Sequence, residues 1–327
     1  MKLYSEVPIK PISRKINHQS KILSLGSCFA TEMGQKLQEY EFQTLINPFG
    51  TQFHPLAIEH TFNRIYAREP YIESEIYHHG GLFFSWDHSA KFSKSKKEQV
   101  LEAINTNIDE ANTFLGETTH VIITLGTAWA YYLSQGEFFV SNCHKISQKY
   151  FEKILLSQEQ VYESLRNMIL KIYDVRPEAE IIFTISPVRH LRDGFRENQV
   201  SKGVLQYAIH QVLNDFEEIN YFPSYEIALD ELRDYRFYAE DLAHLNDVGI
   251  NYIWDKFSAN YCTEHTLKLN AEIEKIKKAL SHKPFNADSI TYKKFLYDTQ
   301  KKAEAMQTQL HAEALKSTLE ALKQKLC

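Results

Sequence analysis

Short apolar runs alternate with amphipathic stripes along the first two thirds of the chain. Ile22, Leu23 and Leu25 make a run suited to a parallel strand covered on both faces, and Gly26 permits a tight exit from it. Phe29, Met33 and Leu37 then recur every four residues with Gln35, Lys36, Gln38 and Glu39 between them, which predicts a helix over about 29–41. The alternation continues with a strand at 44–46, a helix over 54–67 carrying Leu56, Ile58, Phe62 and Ile65, and a charged helix over 96–115. Residues 121–125 are the clearest buried strand, and a small hairpin follows with its turn at 135–137. Ser157 with Gln160 spells a capping box that opens a helix to about Tyr173. A strand at 181–185, a helix over 196–219, a short strand at Tyr221 and Phe222 and a helix over 225–232 complete the series. This order predicts an α/β fold, a three-layer α/β/α sandwich with a mostly parallel central sheet, whose strand carboxyl ends are available for a site.

Three stretches depart from the alternation. Residues 1–20 are polar with Pro8 and Pro11, and read as an extended surface arm. Residues 68–95 crowd Tyr71, Tyr77, His78, His79, Phe83, Phe84, Trp86, His88 and Phe92 around a Gly80-Gly81 pair; such a segment either lines a ligand cleft or folds its aromatics onto the core. Beyond 288, Ala305, Thr308, Ala312, Leu315, Leu319, Leu322 and Leu326 step by three and four, one face of a helix that packs on the domain or on a second copy of the chain. The expected division is an α/β domain over 1–262 and a helical extension over 263–327.

With 327 residues, 43% of them hydrophobic, the chain has ample material for a core. A formal net charge of -5 gives no general attraction to nucleic acid or anionic lipid, and no segment approaches the length of a membrane span or a signal peptide core. Cys28, Cys143, Cys262 and Cys327 are scattered without a paired spacing, which suits a reducing compartment. The expectation is a cytoplasmic protein with no nucleic-acid or membrane partner. No zinc-like ligand spacing is present, and no cofactor or metal is expected.

The candidate chemistry starts at Gly26-Ser27-Cys28, where a strand gives way to a helix. Ser27 there either caps the helix or serves as a nucleophile at the positive end of the helix dipole, and Cys28 is the competing nucleophile. A base and an orienting acid are supplied by Asp241-x-x-His244: an Asp three residues before a His lets the carboxylate accept from one ring nitrogen while the other faces a hydroxyl. Cys143 beside His144 is a weaker thiol and imidazole pair, because neighbours on an extended strand face opposite ways. His144 counts instead among residues that could shape the substrate site, with Arg189 and His190 at the end of the strand at 181–185, although a structural ion pair explains Arg189 equally well.

Gly26-Ser27-Cys28-Phe29-Ala30 resembles the signature of the GSCFA family, and so do Asn47-Pro48-Phe49-Gly50-Thr51, the blocks 124–129, 142–145 and 186–190, and Asp241-x-x-His244, in the family's order over about residues 20–260. That family is similar to the SGNH (GDSL-like) hydrolases. The resemblance implies Ser27 as nucleophile, His244 as general base and Asp241 as its orienting partner, with the backbone amides of Ser27 and Gly50 as oxyanion donors. Where the superfamily offers Gly-x-Asn, this chain has Gly126-Thr127-Ala128, so Thr127 substitutes, or Asn142 reaches in, or the hole lacks one donor. Asn47, Trp86 and His88 complete the candidate substrate-binding set. The implied function is ester hydrolysis, removal of a small acyl group from a carbohydrate or related alcohol; acyl transfer with the same residues and a non-catalytic glycan-binding scaffold are the alternatives.

Overall fold

The computed structural model describes residues 5–326; residues 1–4 of the expected arm and Cys327 lie outside the described residues. In chain order the strands are β1 Lys21–Gly26, β2 Gln43–Ile46, β3 Tyr77–His79, β4 Leu82–Phe84, β5 His120–Leu125, β6 Trp129–Leu133, β7 Phe138–Val140, β8 Phe151–Leu155, β9 Glu180–Ile185 and β10 Asn220–Phe222. Five of them form one sheet in the order β10-β9-β5-β1-β2, and every neighbouring pair is parallel. The chain moves outward from β1 to β2 on one side and then to β5, β9 and β10 on the other. The carboxyl ends of β1 and β5 therefore flank a topological switch point, the place where sheets of this kind bind ligands.

Period two explains the two cores. Leu23, Leu25, Val121, Ile123, Leu125, Ile181, Phe183 and Ile185 point to one face and pack with helices α2 Pro55–Ala67, α3 Lys97–Glu117, α4 Gln158–Val175 and α5 Phe195–Asp215. Ile22, Ile122, Ile182 and Phe222 point to the other, against Phe29, Met33 and Leu37 of α1 Cys28–Glu39 and against Ile250, Ile253, Trp254 and Phe257 of α7 Asp247–Tyr261. The expected sandwich is thus present, with a sheet that is wholly parallel. Between β10 and α7 the chain makes a short helix, α6 Ser224–Glu226, that runs into a π turn over Ile227–Glu231. The capping box forms as the sequence predicts, with Ser157 Oγ accepting the Gln160 amide at 3.1 Å and Gln160 Oε1 accepting the Ser157 amide at 2.9 Å.

The aromatic segment meets both expectations: Tyr71, Phe84, His88 and Phe92 are buried, while Tyr77, Trp86 and Asp87 border a cleft of about 340 Å³. Its β3–β4 hairpin and the following turn pack on a three-stranded antiparallel sheet, β7-β6-β8, through Phe84, Trp86, Val140 and Phe151. The carboxyl-terminal tail departs from expectation. After α8 Glu264–Ser281 it forms two helices, α9 Ile290–Gln307 and α10 Lys316–Leu326, broken at 308–315, where Leu315 takes a positive φ of 60°. Helices α8 to α10 share a separate core that includes Ile273, Leu296, Met306, Leu310, Leu315 and Leu322. This bundle docks on the turn after α1: Glu41 pairs with Lys277 at 2.5 Å and accepts the Leu315 amide at 3.0 Å.

Three buried histidines are held neutral by the fold. His18, His54 and His120 donate to the carbonyls of Tyr40, Val140 and Arg14 at 3.0, 3.1 and 2.9 Å, and burial lowers each pKa from 6.5 to about 4. The unfolded chain takes up these protons near pH 6.5 and the folded chain only near pH 4. The unfolded state therefore binds more protons between those values, and stability falls as pH falls through that window. Thermal denaturation at a series of pH values should show a melting temperature that drops steadily from about pH 6.5 to about pH 4.5. A flat profile there would exclude neutral burial of these rings.

Candidate active site

The switch point is built around Ser27. Gly26 ends β1 with φ at 129°, its amide donating to Asn47 Oδ1 at 2.7 Å and its carbonyl accepting the Gln52 amide at 2.9 Å. Asn47 itself stands at φ 43° and also donates through Nδ2 to Thr31 Oγ1 at 2.9 Å, so the 47–52 turn is tied to the strand end and to α1. Phe53 extends this strap across β5, its carbonyl accepting the amides of Gly126 and Thr127, both at 2.9 Å. Ser27 occupies the position before the first residue of α1, yet its side chain makes no capping bond. The hydroxyl is buried and, among the described residues, has no hydrogen-bond partner. An unpartnered buried hydroxyl costs about 1–3 kcal/mol, so this one is not held for stability.

The Asp241 and His244 pair forms on a half-exposed loop. Asp241 Oδ2 lies 2.6 Å from His244 Nδ1, while Oδ1 accepts the amides of Ala243 and His244 at 3.0 Å each. Those amides, first His244's and then Ala243's, hold the carboxyl well below the usual carboxylate range, and the His244 ring adds to them. Arg189 fastens the loop to the segment that follows β9: its amide donates to the Ala243 carbonyl at 3.2 Å and its guanidinium to the Leu242 carbonyl at 2.6 Å, above the Tyr238 ring. His244 is thereby brought to the rim that carries Ser27, close enough to Glu32 on α1 and to His190 to perturb both. No hydrogen bond joins Ser27 Oγ to His244.

The GSCFA family profile matches residues 21–257, and the profile of the GSCFA domain protein, C-terminal domain, matches residues 273–326. The chain belongs to the GSCFA family. No curated protein matches it. The turn that spells the family's name, Gly26–Ala30, is the turn at the switch point.

Several residues expected in this GSCFA site have other duties. The Ser27 amide donates to the Thr124 carbonyl at 3.1 Å and the Gly50 amide to the Asn47 carbonyl at 2.7 Å, so both expected oxyanion donors are engaged within the fold. Thr127 Oγ1 pairs with Ser201 Oγ at 2.9 Å and accepts the Trp129 amide at 3.1 Å. Asn142 Oδ1 accepts the His144 amide at 2.8 Å, which does not use the Nδ2 donor that the oxyanion role would need, and His144 donates to the Ser85 carbonyl at 2.9 Å while lying on Phe84. His88 is fully buried among Phe49, Tyr71 and Phe92. Trp86, also buried, borders a separate cleft of about 340 Å³ whose other walls include His60, Arg64 and Asp87. Arg189 shapes the His244 loop through backbone carbonyls, and among the described residues no carboxylate forms an ion pair with it.

Cys28 is poorly suited to replace Ser27. Burial, reinforced by Glu32, raises its thiol pKa, and burial pushes Cys143 up to about 11. His190, after β9, has a buried Nε2 with no partner among the described residues, its ring meets Phe53 edge-on at 5.6 Å, and burial lowers its pKa to about 4. Sequence reasoning missed Lys202, which is 1% exposed. The signal was there, because Asn198, Ser201, Lys202, Leu205, Ala208, Ile209 and Val212 trace the buried stripe of α5, and a lysine on such a stripe requires an explanation. A cleft of about 360 Å³, lined by Thr31, Gln35, Gln38, Asn47, Gly50 and Lys91, opens beside the Asn47 turn. Among the described residues, no group of three or more His, Cys, Asp and Glu side chains is disposed to hold a metal ion, and no helix is long and apolar enough to cross a membrane.

Proposed function

We propose that this GSCFA protein is a serine ester hydrolase of the SGNH type, with Ser27 as nucleophile, His244 as general base and Asp241 as its orienting acid. The observation that carries the reading is the pairing of an unpartnered Ser27 hydroxyl at the β1 switch point with a preformed Asp241 and His244 couple on the same rim. Asp241 holds the proton of His244 on Nδ1, which leaves Nε2 as the acceptor for the serine proton. Attack on an acyl carbonyl yields an acyl-serine and releases the alcohol with that proton; water then enters by the reverse route. The cleft of about 360 Å³ beside Asn47 has Thr31, Gln35, Gln38 and Lys91 in its walls, side chains able to hydrogen-bond the hydroxyls of a carrier such as a carbohydrate. Ser27 is covered in this structure and not bonded to His244, so substrate entry and closure of the Ser27 to His244 bond both require movement.

An alkyl fluorophosphonate tests this reading. The wild-type chain should be modified at Ser27 and the Ser27→Ala variant should not, while the variant melts at the same temperature or higher, because it deletes an unsatisfied buried hydroxyl. Modification that persists in Ser27→Ala, or that maps to Cys28, would refute the assignment. A folded wild type that resists the reagent would favour the glycan-binding alternative.

A further inference from the structure

Lys202 brings an ammonium group to the rim where Ser27 stands. Its Nζ donates to the carbonyls of Gly126 and Ser186, both at 2.7 Å. Gly126 directly follows β5 and Ser186 directly follows β9, as Ser27 directly follows β1. Among the described residues, no carboxylate forms an ion pair with Lys202. The groups that face it are the Cys28 thiol from α1, His190 from the segment after β9, and the Tyr225 ring from α6 at 5.4 Å. None of these is negative at neutral pH, since the thiol pKa is raised and His190 is held uncharged.

Burying an ammonium without an anion is expensive, and two carbonyls could be bridged by a neutral amide at a much smaller desolvation penalty. The charge itself is what the surrounding structure does not explain. Lysine also has three donors, and the two carbonyls take two of them. Three of the four expected oxyanion donors are taken: the amides of Ser27 and Gly50 are engaged, and so is the Thr127 hydroxyl.

We propose that Lys202 is the cation of this active site, stabilising the oxyanion that forms when Ser27 is acylated. The inference rests on the assignment of Ser27 as nucleophile. As Ser27 Oγ bonds to the carbonyl carbon, the carbonyl π pair moves onto oxygen and the serine proton passes to His244 Nε2. Return of that pair breaks the bond to the leaving oxygen, which departs as the alcohol with the proton from His244. The negative oxygen exists only between those events, and a fixed charge in a water-poor pocket stabilises it most at that stage. Burial lowers the Lys202 pKa to about 7, so the charge is present below that pH and lost above it.

The test is the rate of fluorophosphonate modification of the full chain between about pH 5.5 and 9, compared for wild type, Lys202→Met and Lys202→Gln, each checked by its melting temperature. The wild-type rate should decline as pH rises through about 7, and both variants should react about a hundredfold more slowly and without that decline. A bond that merely ties strand ends together would alter the melting temperature and leave the shape of the pH profile unchanged. Should either folded variant react at the wild-type rate with the wild-type pH profile, the inference fails while Ser27 stands. Absence of wild-type modification at Ser27 would instead refute the nucleophile assignment on which the inference depends.

Discussion

Replacing Asp241 by Asn should lower the rate of Ser27 modification and of ester turnover by about a thousandfold or more, with little change in stability. The two oxygens of Asp241 do different work. Oδ1 accepts the Ala243 and His244 amides and shapes the turn, and an Asn carbonyl oxygen can keep both bonds. Oδ2 accepts from His244 Nδ1, and there the Asn amide presents donors instead. His244 then keeps its proton on Nε2, the nitrogen that should receive the proton of Ser27, and the base is lost while the loop survives. Asp241→Ala removes both functions and should show a loosened 239–244 loop as well as the loss of rate. The decisive comparison is the rate constant of each variant beside its melting temperature. An Asn variant that modifies Ser27 within about threefold of the wild-type rate would show that the Asp241 and His244 couple does not act as the base.

Which parts of this site are readable from sequence depends on how far apart the partners lie in the chain. Asp241 and His244 are three residues apart, and their pairing follows from turn geometry, as does the Ser157 and Gln160 capping box. Strands β1, β5 and β9 announce themselves because a parallel strand covered on both faces needs an unbroken apolar run. The sheet order does not appear in such runs, and it is the order that puts Ser27 at a switch point. Nor does local sequence reveal that the Ser27 amide is taken by Thr124 on a different strand, or that Ser201 and Lys202 reach back to hold Thr127 and Gly126. The histidines and aromatics of 68–95 left two readings open for a related reason: composition shows that rings are present, whereas burial of His88 against Phe49 depends on where the 47–53 strap lies. Lys202 was legible in principle, as a charge on an apolar helical stripe. Its meaning required the carbonyls at the ends of β5 and β9.

The Gly26→Ala variant should fail to accumulate as folded protein, or lose about 4 kcal/mol or more in chemical denaturation if it does. Two penalties coincide at this residue. Its φ of 129° lies where L side chains are strongly disfavoured, and a β-carbon there would stand 2.0 Å from the Thr124 carbonyl oxygen and 2.8 Å from its carbon. Gly26 and Thr124 are register partners in the β1–β5 ladder, so neither backbone can withdraw without opening the centre of the sheet. The same carbonyl oxygen accepts the Ser27 amide, and any displacement would therefore move Ser27 along with the strand end. Gly203→Ala provides the contrast, because its added methyl meets nothing within 4 Å on α5 and should stabilise the chain by about 0.5–1 kcal/mol. A Gly26→Ala chain that unfolds at the wild-type denaturant concentration would mean that the turn relaxes away from Thr124. Retained Ser27 modification in that chain would further separate the chemistry of the turn from its geometry.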